Sequence, residues 1–217
     1  MTADNPHISP SMVPEYDDKA DEKNWRGPEV VFGLSYDFVN PGQTVLDIGI
    51  GTGLASILFH KAGLRVYGMD LSTGMLEACR QKGFATELKE HDLTIAPYPF
   101  DDASVDHAIS VGVLNHFGDL RTVFSEVARV VRDGGIFAFM VGDRAEDEEA
   151  EVVAGCGHGQ SHSGVKLYRH STEEVNRLLE NNEFSFLRSV AFAASVNPDG
   201  TEAVRGKAYV AMRKSRG

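Results

Sequence analysis

Two cysteines in 217 residues, Cys79 and Cys156, are too few for a disulfide scaffold or a four-cysteine metal site. No apolar run approaches the roughly 20 residues that span a bilayer. The opening stretch, "MTADNPHISPSMVPEYDD", has neither the basic nor the apolar region of a secretory signal. A cytoplasmic protein without membrane association is expected. Basic residues are scarce as well: 21 Lys and Arg against 32 Asp and Glu leave a net charge of −11. A field of that sign opposes a polyphosphate backbone, so nucleic acid is not an expected partner. The acidic runs 15–22 and 143–151 read as solvated surface. Repeats and low-complexity tracts are absent.

What is present is an alternation of strand-like and helix-like segments. "TVLDI" (44–48), "RVYGMD" (65–70), "ATELKEHD" (85–92), "VDHAISVG" (105–112) and "IFAFMV" (136–141) read as strands. Between them, "LASILFHKA", "TGMLEACRQK" and "DLRTVFSEVARVVRDGG" read as helices, the last with an Asp119 cap and apolar residues at helical spacing. Cys79 falls inside the second of these, as a buried inert thiol. Such alternation requires parallel strands with helices on both faces. The tail differs: a capping box at Ser171 and Glu174 opens a helix, and "FSFLRSVAFAASV" and "KAYVAMRKS" follow as two strands. Turn residues Asn197 to Gly200 between them predict antiparallel neighbours. The residues before 40 suggest a loose arm and two short helices.

The stretch "DIGIGTGLAS" (47–56) places Gly49, Gly51 and Gly53 directly behind the first strand. Open α/β sheets bind ligands at such a turn. The nicotinamide fingerprint requires a small residue at its sixth position, where this chain has Leu54. No Lys-Ser/Thr follows, which rules out a phosphate-binding P-loop. Asp47 precedes the loop and would repel a pyrophosphate but attract an ammonium or sulfonium. Asp70 and Asp92 close the second and third strands. Three acids at successive strand ends suit a ligand that is cationic at one end and rich in hydroxyl and amine donors at the other. S-adenosylmethionine (SAM) has that chemistry, and it is favoured over a dinucleotide.

"VLDIGIGTGLAS", "VYGMDLSTGMLEACR", "HDLTIAPYPFDDASVDHAISVGVLNHF" and "VARVVRDGGIFAF" together resemble the ordered motifs of class I SAM-dependent methyltransferases, most closely those acting on small molecules. The resemblance covers about residues 40–141. It implies an α/β, Rossmann-like three-layer sandwich with a seven-stranded, mostly parallel sheet of order 3-2-1-4-5-7-6 and strand 7 antiparallel. It also implies that SAM is converted to S-adenosylhomocysteine (SAH) by a monomer or homodimer acting on a small-molecule acceptor. Residues 1–39 would form an arm and lid helices, and 40–217 the SAM-binding domain with an acceptor-side insertion around 143–170. Gly49, Gly51 and Gly53 would underlie the methionine portion, with Asp47 beneath them. Asp70 would accept from the ribose, with Leu71 and Met75 beside the adenine. Asp92 would accept from the adenine amine and Leu93 would flank it, while Val111 and Gly112 edge the methionine end. "EYDDKADEKNWRG" resembles the "YD-x-x-A" opening of the family, which would put Tyr16, and Trp25 after it, over the cofactor as a lid.

A base is needed only if the acceptor must lose a proton early. His116 in "LNHF" is the leading candidate, with Asn115 beside it to orient an acceptor; His158, His162 and His170 are others. "GCGHGQSHSG" (155–164) fits a substrate-side loop better than a metal site, since the spacing of Cys156, His158 and His162 follows no standard pattern. The acceptor atom (O, N, C or S) stays open. Two other readings remain: a nicotinamide-dependent oxidoreductase, and a SAM- or SAH-binding protein without catalysis.

Overall fold

A computed structural model of the protein describes residues 10–154, 165–196 and 202–215. Asn197 to Gly200, Cys156, His158 and His162 lie outside them, so the expectations placed on those residues have no structural counterpart here. In chain order the elements are α1 (Tyr16–Glu22), α2 (Gly27–Ser35), β1 (Thr44–Ile48), α3 (Ser56–Lys61), β2 (Arg65–Asp70), α4 (Thr73–Gln81), β3 (Ala85–Glu90) and β4 (His107–Ser110). They continue with α5 (Arg121–Val130), β5 (Ile136–Asp143), β6 (Glu151–Ala154), β7 (Val165–His170), α6 (Thr172–Asn181), β8 (Phe184–Val196) and β9 (Glu202–Arg213).

Strands β3-β2-β1-β4-β5 run parallel in that order. β9 adds antiparallel to β5, from Ile136 opposite Met212 to Gly142 opposite Gly206, and β8 adds antiparallel to β9. This path matches the expected order, with β9 as the antiparallel seventh strand and β8 as the sixth. The structure departs from seven strands by the hairpin β6–β7. Gly142 of β5 pairs with Gly206 of β9 and also with Arg169 of β7, in parallel. β7 therefore takes the edge of β5 that β4 occupies at residues 137–139 and leaves beyond its own end. The extra strand thus stands at the carboxyl edge of the sheet.

β1 is buried along its whole length, as an apolar β-branched strand inside a parallel sheet must be. One face packs Val31 of α2, Phe59 of α3 and Leu76 and Cys79 of α4; the other packs Phe124 and Val127 of α5 and Val175 and Leu179 of α6. Phe137, Phe139 and Tyr209 stack on the second face, with ring centroids 4.5 and 5.3 Å apart. Each such ring contributes about 1.5–3 kcal/mol by burial. α6 opens on the expected capping box, with Ser171 Oγ accepting from Glu174 N (3.2 Å) and Glu174 Oε2 from Ser171 N (2.9 Å).

Two expectations need correction. The N-cap of α5 is Leu120, not Asp119; Asp119 Oδ1 accepts from Arg121 N (2.9 Å), so the acid still satisfies a first-turn donor. The acidic run after β5 is not merely solvated. Asp143 and Glu148 both pair with Arg205 of β9, Glu148 also with Arg169, and Glu151 with Lys166 (2.9 Å). These charges lace the added hairpin to the sheet. No described helix is long and apolar enough to cross a membrane.

Candidate active site

At the carboxyl edge the chain leaves β1 through the glycine loop, which is tied down by its backbone. Gly49 N and Ile50 N both donate to Met69 O of β2 (2.9 and 3.0 Å). Gly49 has φ +75°, and a Cβ there would lie 2.7 Å from Val113, so only glycine lets this loop pass under the turn after β4. A Cβ on Gly51 would meet nothing within 4 Å, leaving its backbone open to a ligand. Gly53 has another role, because a Cβ there would strike Phe84 (2.5 Å) and Cys79 (3.0 Å). It seats the loop on α4.

Asp70, at the end of β2, accepts from Gly51 N (2.9 Å) with one oxygen and from Ser72 N (2.8 Å) with the other. Burial nevertheless raises its pKa, and the N–H donors oppose that rise. A carboxylate has about four acceptor sites, so roughly two remain for a ligand. Asp47 is 2% exposed and accepts from the Ser56 hydroxyl. Burial, with a smaller contribution from the charge of Asp70, pushes its carboxyl up to about 7. Asp92 Oδ1 accepts from Thr94 N (2.9 Å) and Oγ1 (2.8 Å), which shapes the loop after β3. Buried Tyr98 donates its hydroxyl to Leu93 O (3.0 Å) and fixes Leu93 beside it.

Beyond β4, Leu114–His116 forms a 3-10 turn. His116 Nδ1 is buried without a hydrogen-bond partner, and burial lowers the ring's pKa. A buried polar atom left unpaired is costly unless a ligand completes it. His170, buried on β7, donates through Nε2 to Phe117 O (3.0 Å). It braces the turn from behind and stands outside the cavity, so it is a positioning residue and not the base considered from sequence.

The roof is α1. Asp17 Oδ1 accepts from Thr52 Oγ1 in the glycine loop (2.5 Å), and its other oxygen pairs with Lys82 after α4. The burial of Tyr16, together with the charges of Asp70 and Asp17, raises its hydroxyl pKa. Trp25 lies against Gly112, where a Cβ would sit 3.1 Å from its ring.

These walls enclose a cavity of about 380 Å³. Tyr16, Asp47, Gly49, Gly51, Asp70, Leu71, Met75, Asp92, Leu93, Val111, Gly112 and His116 all line it; Gly53 and His170, also singled out in the sequence, do not. Asn115 and Trp25 line it too, as do Thr52, Lys19, Lys23, Ser195 and Val204, which the sequence reading did not select. Lys19 and Lys23 were detectable as residues three and seven after Tyr16 on one helical face. Ser195 and Val204 come from β8 and β9 and carry no local signal.

Residues 46–139 match the family model described as a methyltransferase domain. The chain thus contains a methyltransferase domain over those residues. It is 31% identical to malonyl-[acyl-carrier protein] O-methyltransferase of Serratia marcescens over 70% of this chain and 63% of that one. It is 38% identical to demethylmenaquinone methyltransferase of Corynebacterium kroppenstedtii over 44% of this chain and 40% of that one. The chain spans 63% and 40% of the length of those two relatives. Its fold is shared with a SAM-dependent methyltransferase of Methanosarcina mazei (TM-score 0.72, 17% identity, 84% of this chain and 98% of that one). It is also shared with 1,6-didemethyltoxoflavin-N1-methyltransferase of Burkholderia thailandensis (TM-score 0.66, 18% identity, 98% and 93%), which was solved with 1,6-didemethyltoxoflavin and SAH bound.

Proposed function

We propose that the protein transfers a methyl group from SAM to a small organic acceptor and releases SAH. The observation that carries this reading is the convergence of Asp47, Asp70 and Asp92 on one cavity floored by the open backbone of Gly51. SAM supplies an activated methyl on a sulfonium that leaves as a neutral thioether. Asp70 would hold the ribose hydroxyls and Asp92 the adenine amine, with Leu71, Met75 and Leu93 along the base. Asp47 would lose its proton to face the ammonium. The acceptor's lone pair forms the new bond to the methyl carbon as the carbon–sulfur bond breaks, and a proton leaves the acceptor. His116, held neutral by burial, would receive that proton or line the acceptor. Orientation alone can supply about 7–11 kcal/mol, which makes the α1 lid and the braced turn after β4 central.

A dinucleotide is disfavoured by Asp47 at the base of the loop and by Leu54 in the cavity wall. The relatives' named acceptors differ in kind, one carrier-linked and one a quinone precursor by name, and the acceptor proposed for this chain is a small organic molecule, free or carrier-linked. The test is mass spectrometry of the ligand that copurifies with the full chain, followed by calorimetry with SAH and reduced nicotinamide dinucleotide. SAM or SAH in the purified protein, with micromolar SAH binding, is the expected result. Tight dinucleotide binding with none for SAH would overturn it.

A further inference from the structure

The cavity is electrically polarised. Its carboxylates, Asp47, Asp70 and Asp92, stand at the ends of β1 and β2 and just after β3, along one wall. The cations that line it among the described residues, Lys19 and Lys23, come from α1 and its C-cap, Lys23 directly following Glu22. With Tyr16 and Ala20 they form one face of that helix, at spacings of three, four and seven residues. This face is turned to the cavity and yet is not apolar. Lys19 pairs with the exposed Glu15 (2.8 Å). Lys23 has no side-chain partner among the described residues. Lys82, in contrast, is spent on Asp17 and holds the lid.

The direction of α1 tells which end of the cavity Lys23 serves. At its start, Asp17 is bonded to Thr52 of the glycine loop, the cofactor end. At its finish, Lys23 O accepts from Val196 N (3.3 Å), and two residues on Trp25 lies over Gly112, at the turn that carries Asn115 and His116. Six residues of helix separate Asp17 from Lys23, a rise of about 9 Å. Lys23 therefore stands over the turn after β4, where the methionine end of the cofactor would meet the acceptor. We infer that the methyl acceptor carries an anionic group, a carboxylate or phosphate, held by Lys23 with Lys19 behind it. The inference rests on the methyl-transfer reading above and adds the charge class of its substrate. In a chain of net charge −11, an ammonium lining the cavity offers such an acceptor a local counter-charge.

The test uses the full chain, tritiated-methyl SAM, and a deproteinised extract of the cells that naturally make the protein, split on a strong anion exchanger at pH 8. Transfer of label only to compounds of the retained fraction is expected. Lys23→Gln should raise the KM for that fraction at least tenfold while SAH affinity stays within twofold, and Lys23→Arg should restore it. Label transferred from the unretained fraction alone overturns the inference, as does a Lys23→Gln variant with unchanged KM. A Lys23→Gln loss of SAH affinity that spares 5′-methylthioadenosine, which lacks the amino-acid end, also overturns it, because the lysine then serves the cofactor's carboxylate. If neither fraction is labelled while SAH still binds, the methyl-transfer reading itself fails, and the inference with it.

Discussion

Asp17 of α1 accepts the hydroxyl of Thr52, a 3%-exposed residue of the glycine loop, at 2.5 Å across 35 residues of sequence. The floor and the roof of the cavity are thereby joined through one carboxylate. A hydrogen bond to a charged group contributes about 1.5–3 kcal/mol, and here it holds Tyr16 over the site. Thr52→Val keeps the shape and deletes the donor. SAH affinity is expected to fall about tenfold, with a smaller loss in melting temperature. Deleting residues 1–26 should leave a folded domain that binds SAH more weakly and transfers no methyl. Calorimetry on both variants checks this, and wild-type SAH binding by the truncated chain would remove α1 from the site.

Asp70 has the most demanding position. Each of its oxygens already accepts one backbone N–H, so it both shapes the Gly51 turn and presents its remaining lone pairs to the cavity. Asp70→Ala should lose about 1.5–3 kcal/mol per charged hydrogen bond removed, at least tenfold in SAH affinity. Calorimetry showing unchanged SAH binding would refute the cofactor assignment.

The cofactor half of the site was legible because it is local. A strand end, a glycine turn and an acid follow one another within a few residues, and parallel-strand geometry brings Asp47, Asp70 and Asp92 to one edge without further information. Gly53 misled because spacing cannot distinguish a glycine facing the cavity from one admitting Phe84 and Cys79 on the far side. The acceptor half is assembled from distant pieces. Ser195 and Val204 reach the cavity only because β8 and β9 extend past the sheet, and His170 reaches the turn behind the cavity only because β7 takes over the edge that β4 vacates. No periodicity within a strand reports which neighbour it will find. The charges of 143–151 read as solvent-facing for the same reason, since Arg205 lies more than fifty residues away.

His170 offers a clean separation of bracing from chemistry. Its Nε2–H fixes Phe117 O, and thereby the turn that holds His116. His170→Leu should free the turn, so that the His116 ring titrates closer to its ordinary value in an NMR experiment and methyl transfer slows about tenfold or more. SAH affinity should stay near wild type. His170→Gln, which can place an amide donor near the same carbonyl, should recover much of the loss. An unchanged His116 titration in His170→Leu would show that the contact does not position the turn.

Two buried groups give the stability of the fold opposing dependences on pH. Asp47 is raised from 3.8 to about 7 by burial. Between those values the folded state holds a proton that the unfolded state has released, so this contribution is complete at low pH and is lost as pH rises toward and through 7. Three pKa units correspond to about 4 kcal/mol. His107 acts in the other sense. Its Nε2 bonds Gln43 (2.9 Å), its Nδ1 accepts from Ile136 N (3.2 Å), and burial lowers its pKa to about 4. It folds neutral, so its contribution is present above 6.5 and is lost as pH falls through 4. In the wild type the two slopes offset each other between pH 4 and 6.5. Asp47→Asn removes one of them. Its stability, from urea titrations at pH 4.5, 6 and 8, should rise with pH up to about 6.5 and then stay level, whereas the wild type should decline above 6.5. The same substitution removes the charge proposed to face the ammonium, so SAM affinity should fall even as the free protein gains stability at pH 8. Parallel stability curves for Asp47→Asn and wild type would mean that Asp47 is ionised in the folded protein throughout, and that the cation finds its counter-charge already formed.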